Sequence, residues 1–132
     1  MSSKRILIVE DDPSVRETCV DILRSHGHNA VGVEDGAAAL ADIARTTPDL
    51  IVLDLLMPRA TVDGLTFLSR VATGSAAQTP IVILSALGEA LARELSAPVT
   101  AKLHIGAILA KPFDAPTFVQ EVERILAIGL PV

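Results

Sequence analysis

A doubly wound α/β fold built on a five-stranded parallel sheet is what this sequence predicts, on three observations. Short apolar runs rich in Ile, Val and Leu recur five times, and most are continuous rather than alternating, as in strands covered on both faces. Helix-like stretches separate the runs, and strand–helix alternation implies right-handed crossovers. Charged residues stand directly after three of the runs: Glu10 and Asp11, Asp54, and Lys111. Ligand crevices in such sheets lie beyond the carboxyl ends of the strands, so residues about a hundred positions apart should converge there.

In chain order, the predicted strands cover residues 5–9, 29–33, 50–53, 81–84 and 107–110. The first helix begins at Pro13, a favoured first helical residue, with Asp12 as its N-cap. Val15, Cys19, Ile22 and Leu23 recur at helical spacing and form its buried stripe, and Gly27 ends it. The second helix spans about 36–45, with Leu40, Ile43 and Ala44 inward, and Pro48 prevents its continuation. A third covers roughly 65–73. Between Gly88 and Ile105, Ala90, Leu91, Leu95, Val99 and Leu103 have helical character, but Pro98 interrupts them. Two short helices or one sharply kinked helix both fit that stretch. The last helix runs over about 115–127, capped by Asp114, with Phe118, Val122, Ile125 and Leu126 on its apolar face.

The bulk properties bound the function. At 132 residues, half of them hydrophobic, the chain is expected to form one domain over 1–132 with a single core. Trp and Tyr are absent and Phe occurs three times, so that core is aliphatic. A net charge of −5 argues against a direct nucleic-acid surface. No apolar stretch approaches a membrane span and the N-terminus lacks a signal-peptide h-region, which suits a cytoplasmic protein. Cys19 is the only cysteine, so neither an internal disulfide nor a cysteine zinc site is expected. His26, His28 and His104 fall outside the predicted crevice and are read as surface or helix-packing residues.

Carboxylates placed directly after buried strands are seldom there for stability. Three acids brought together repel one another, and a divalent cation relieves that repulsion. A nearby lysine suits a phosphoryl group. Mg²⁺ binding and phosphate carried on an aspartate are therefore expected.

The motifs that carry these residues are Ile6-Leu7-Ile8-Val9-Glu10-Asp11-Asp12-Pro13, Asp49 through Pro58, Asp63-Gly64, Pro80 through Ala86, and Lys111-Pro112-Phe113. Their order and spacing resemble the receiver domain of bacterial two-component response regulators, over nearly the whole chain. The resemblance implies a flavodoxin-like sheet of strand order 2-1-3-4-5. It implies that Asp54 accepts the phosphoryl group, and that Glu10, Asp11, Asp54 and the backbone carbonyl of Leu56 hold Mg²⁺, Glu10 through water. Lys111 then pairs with phosphoryl oxygens, Ser85 donates to one of them, and Ala86 leaves room for the group. The bond before Pro112 is cis in the family. Asp12 is read as the helix cap in preference to a ligand.

Three features depart from the family pattern. Arg59-Ala60-Thr61-Val62 makes the loop beside the phosphorylation site longer than usual. The segment before the fifth strand is also long, which predicts an altered fourth-helix region. Ile108 stands where the family usually has an aromatic.

A phospho-accepting receiver, not an enzyme with turnover, is the leading expectation. Its partner is a sensor histidine kinase or a histidine phosphotransfer protein, and pairing with a second copy is an open expectation. A stand-alone receiver is expected over a receiver cut from a longer regulator, because no effector domain is present. A Mg²⁺-dependent phosphatase with an aspartyl nucleophile is the runner-up. Leu56 counts against it, since such enzymes often place a second Asp there. A flavodoxin-like electron carrier fits poorly, because the acids after the first strand would repel the cofactor phosphate.

Overall fold

Residues 6–9, 50–53 and 81–84 are buried on both sides of the pleat, with no exposed surface at all. That double burial is why their sequences are continuous apolar runs. The computed structural model describes residues 4–57 and 62–128. Its elements are β1 (Arg5–Val9), α1 (Pro13–Ser25), β2 (Asn29–Val33), α2 (Gly36–Arg45), β3 (Leu50–Asp54), α3 (Gly64–Val71), β4 (Pro80–Ser85), α4 (Glu89–Thr100), β5 (His104–Ala110) and α5 (Ala115–Ile128). The sheet is parallel throughout, in the order β2-β1-β3-β4-β5. Strand order reverses between β1 and β3, which opens a crevice above their carboxyl ends.

Alternate side chains feed two cores. Ile6, Ile8, Leu50, Val52, Val82 and Leu84 face α1 and α5, where Leu23, Phe118 and Val122 meet them. Leu7, Val9, Ile51, Leu53, Ile81 and Ile83 face the other way, against Ile43, Phe67, Leu68 and Ala92 of α2, α3 and α4. Burying each such side chain stabilises the fold by about 1.5–3 kcal/mol. Aliphatic side chains thus supply most of both cores, as the composition requires.

The helix ends follow their cap residues. The Asp12 carboxylate accepts from the backbone N–H groups of Ser14 (2.8 Å) and Val15 (3.3 Å), so Asp12 is committed to capping α1. Asp63 and Asp114 do the same for Thr66 and Thr117. Gly27 closes α1 at φ +86°, a conformation that favours glycine.

Of the two readings open for residues 88–105, the single helix holds: α4 spans Glu89–Thr100 with Pro98 inside it. Pro98 lies in the last turn, where it removes one helical N–H···O bond. Two boundaries differ from expectation. α3 starts at Gly64 and stops at Val71, two residues short of the expected end. β5 begins at His104, three residues before the predicted start, because its pairing with β4 jumps from Ile81↔Ile105 to Val82↔Ala107. Gly106 is the extra residue of that bulge, and it interrupts the apolar pattern from which the strand was read. A Cβ on Gly106 would lie 2.5 Å from Ile125 Cδ1, so glycine here lets α5 close onto the strand.

Candidate functional site

Each predicted site residue arrives at the same end of the sheet by its strand. Glu10 follows β1, Asp54 is the last residue of β3, Ser85 ends β4 and Lys111 follows β5. Glu10, Asp11 and Asp54 offer carboxylate oxygens that all lie within 4.8 Å of one another. Glu10 is fully buried and Asp54 nearly so, while Asp11 is half-buried.

Lys111 is a cation that faces Glu10 and Asp54. Its Nζ donates to Glu10 Oε1 at 2.6 Å and lies 3.3 Å from Asp54 Oδ2. Burial works to lower the Lys111 ammonium, but the bond to Glu10 and the charge of Asp54 outweigh it, and the net direction is upward. The Lys111-Pro112 bond is cis. The Lys111 backbone N–H donates to the Ser85 carbonyl (2.8 Å), which ties the ends of β4 and β5 together.

One lysine does not balance the cluster. Burial, then the neighbouring Glu10 carboxylate, pushes the Asp54 carboxyl up to about 7, against the pull of Lys111. A hard divalent cation suits such a donor set: carboxylate oxygens close together, with Asp54 pushed toward its protonated form by burial and by Glu10. Mg²⁺ therefore fits the residues present.

Ser85 is fully buried, and its Oγ accepts from the Leu87 backbone N–H at 3.0 Å. Its own proton remains for a further acceptor. Leu56 lies two residues beyond Asp54 with its side chain exposed, and Ala86 is also exposed. Residues 58–61, most of the loop read as longer than usual, lie outside the described residues.

The histidines are elsewhere, at the opposite end of the strands. His28 pairs with Glu123 (3.0 Å) and His104 with Gln78 (2.8 Å), while His26 caps α1. Cys19 is buried, and burial and the Glu10 charge push its thiol up to about 11, so it stays protonated. Ile108, in place of an aromatic, packs into the core with Ile83 and Phe67.

Sequence reasoning passed over Arg16. Its Nη1 donates to the Glu10 backbone carbonyl at 2.9 Å, and its stem lies across Gly32. A glycine inside a strand is the one sequence signal of such a close approach.

A flavodoxin-like sheet with an acidic, lysine-flanked crevice at its switch point defines a class of phosphate-handling α/β domains. The response regulator receiver domain model matches residues 6–123, and the chain belongs to that family. The Escherichia coli transcriptional regulatory protein BaeR is 35% identical over 127 residues, covering 95% of this chain and 49% of that protein. The chain thus spans about half the length of the curated relatives it matches. The Vibrio cholerae chemotaxis protein CheY4 superposes with a TM-score of 0.83 at 26% identity, covering 94% of this chain and 99% of that one. The receiver domain of a Pseudomonas aeruginosa sensor histidine kinase, whose structure holds a coordinated magnesium ion in its active-site cleft, superposes with a TM-score of 0.82 at 26% identity, covering 96% and 99%. The chain is a receiver domain of the response-regulator type, and receiver domains accept phosphoryl groups and bind Mg²⁺ at an acidic site. Among the described residues no helix is long and apolar enough to cross a membrane.

Proposed function

We propose that this receiver takes a phosphoryl group from the phosphohistidine of a sensor kinase or histidine phosphotransfer protein onto Asp54. The observation that carries the reading is the position of Asp54: the end of β3, close to Glu10 and Asp11 and 3.3 Å from Lys111. Glu10, Asp11, Asp54 and the Leu56 carbonyl hold Mg²⁺, which when bound offsets charge on the phosphoryl oxygens.

The remaining chemistry belongs to the chain. An Asp54 carboxylate oxygen attacks phosphorus; the P–N bond breaks, the imidazole leaves with its electron pair and an acyl phosphate forms. Lys111 Nζ pairs with a phosphoryl oxygen as the negative charge spreads. The Ser85 hydroxyl donates to another. Neither group gains or loses a proton, so the contribution is positioning and charge. Leu56 provides no acid/base group beside the nucleophile, which disfavours the phosphatase alternative. The net charge of −5 disfavours nucleic-acid phosphates as a partner of this domain. BaeR, named as a transcriptional regulator, is about twice as long as this chain.

Mg²⁺ affinity is expected to depend on pH. With the Asp54 carboxyl at about 7, a proton competes with the metal below that pH and not above it. Affinity should hold between pH 7.5 and 8.5 and fall roughly tenfold per unit below 7. Titration calorimetry at several pH values checks this, and a flat profile down to pH 5.5 contradicts it.

The proposal itself is tested by intact mass after incubation with acetyl phosphate. One added phosphoryl group is expected with Mg²⁺ and none with EDTA. Borohydride reduction should place the trapped product at Asp54. A modified peptide elsewhere, or uptake indifferent to EDTA, overturns the assignment.

A further inference from the structure

We infer that Arg16 is a positioning residue for the acidic pair, acting through the backbone of Glu10. The inference rests on the reading of Glu10, Asp11 and Asp54 as the Mg²⁺-dependent phosphoryl-accepting site. Glu10 is held at every polar group. Its N–H donates to the Val33 carbonyl of β2 (3.1 Å), and its carbonyl accepts from Arg16 Nη1 (2.9 Å). Its carboxylate accepts from Lys111 through Oε1 (2.6 Å) and from the Asp12 N–H through Oε2 (3.3 Å). Arg16 joins α1 to this peptide by its side chain, from six residues beyond the carbonyl it clamps.

The fold makes room for that clamp. Gly32 stands opposite Ile8 on β2, and a Cβ there would lie 2.8 Å from Arg16 Cγ and 3.1 Å from Cδ. The arginine stem therefore occupies the space a side chain would take. This fixes the direction of the guanidinium toward the β1–α1 turn. Glu10 and Asp11 are adjacent, so the peptide plane that Arg16 holds also sets where the Asp11 carboxylate starts.

Two effects of Arg16 on a divalent cation oppose each other, and their signs differ. As a nearby positive charge it disfavours Mg²⁺, so removing it would tighten binding. As a clamp it pre-organises the ligands, so removing it would weaken binding. Partners behind metal ligands typically contribute 10–100-fold in affinity. Arg16 is half-buried, and its charge meets the metal only across the Glu10 peptide and is screened by salt, so the clamp outweighs it.

Arg16→Met keeps an apolar stem over Gly32 and deletes the donor. It is expected to weaken Mg²⁺ binding about tenfold by calorimetry and to slow uptake from acetyl phosphate similarly. Its melting temperature without Mg²⁺ should stay near wild type. Arg16→Lys, which retains a donor on a similar stem, should recover part of the affinity. Gly32→Ala, which leaves the arginine in place but pushes its stem aside, should reproduce the Met variant. Unchanged or tighter Mg²⁺ binding in Arg16→Met, or no recovery in Arg16→Lys, overturns the inference. Failure of the underlying reading looks different: the wild-type protein itself would bind no Mg²⁺ and take up no phosphoryl group.

Discussion

Asp54→Asn is expected to abolish phosphoryl uptake and, without Mg²⁺, to make the fold more stable. The first effect follows from chemistry: an amide is no nucleophile toward phosphorus, and neither Glu10 nor Asp11 stands at the end of β3. The second follows from burial. The Asp54 carboxyl titrates near 7 in the folded chain and near 3.8 when unfolded. Between those values the unfolded chain has lost a proton that the folded chain retains, so folding stability falls as pH rises from about 4 to 7 and then levels off. The loss is on the order of 2–4 kcal/mol at pH 7.5. Asparagine has the same shape and no proton to lose, so the variant escapes it. Far-UV circular dichroism suits the comparison, since the chain has no Trp or Tyr. The variant should melt at least about 5 °C higher than wild type at pH 7.5 and equally at pH 4. Saturating Mg²⁺ should close the gap, because it stabilises only the ionised site. Equal melting at pH 7.5 without Mg²⁺ contradicts the account.

The parts of this fold legible in the sequence are those where one local rule decides. Residues 6–9, 50–53 and 81–84 are apolar at every position because each is covered on both faces, so strands and fold class follow directly. Asp12 and Asp114 announce helix starts because a short carboxylate reaches its own backbone, and Asp63 does the same for α3 without being among the expected caps. Glu10, Asp11, Asp54 and Lys111 were visible because a charge after a buried strand has no packing reason to be there. Contacts between distant elements were not legible. Gly106 hints at a bulge or a close approach, but nothing within residues 104–110 says that Ile125 of α5 is what lies against it. Whether Pro98 divides the stretch or lies within one helix was not decided by any local rule. Arg16 looked like any solvent-facing helix residue until β2 placed Gly32 beneath it.

Lys111→Ala is expected to slow phosphoryl uptake about 100-fold or more while tightening Mg²⁺ binding. The two changes have one cause. In the resting site the ammonium offsets the same carboxylates a metal would use, bonding Glu10 at 2.6 Å and standing 3.3 Å from Asp54. Mg²⁺ must share those oxygens with it, so removing the cation leaves a more negative site. Phosphoryl transfer draws on the lysine differently. Charge builds on the equatorial oxygens, and a mobile point charge at the end of β5 meets it where water cannot. Deleting one such partner commonly costs two to three orders of magnitude in rate. Lys111→Arg should not restore the wild-type rate, because a planar fork cannot occupy the place of a single ammonium between Glu10 and Asp54. Calorimetry and timed intact-mass measurements on the same sample separate the effects. Weaker Mg²⁺ binding together with slower uptake would mean that Lys111 holds the site's shape, and the charge argument would fail.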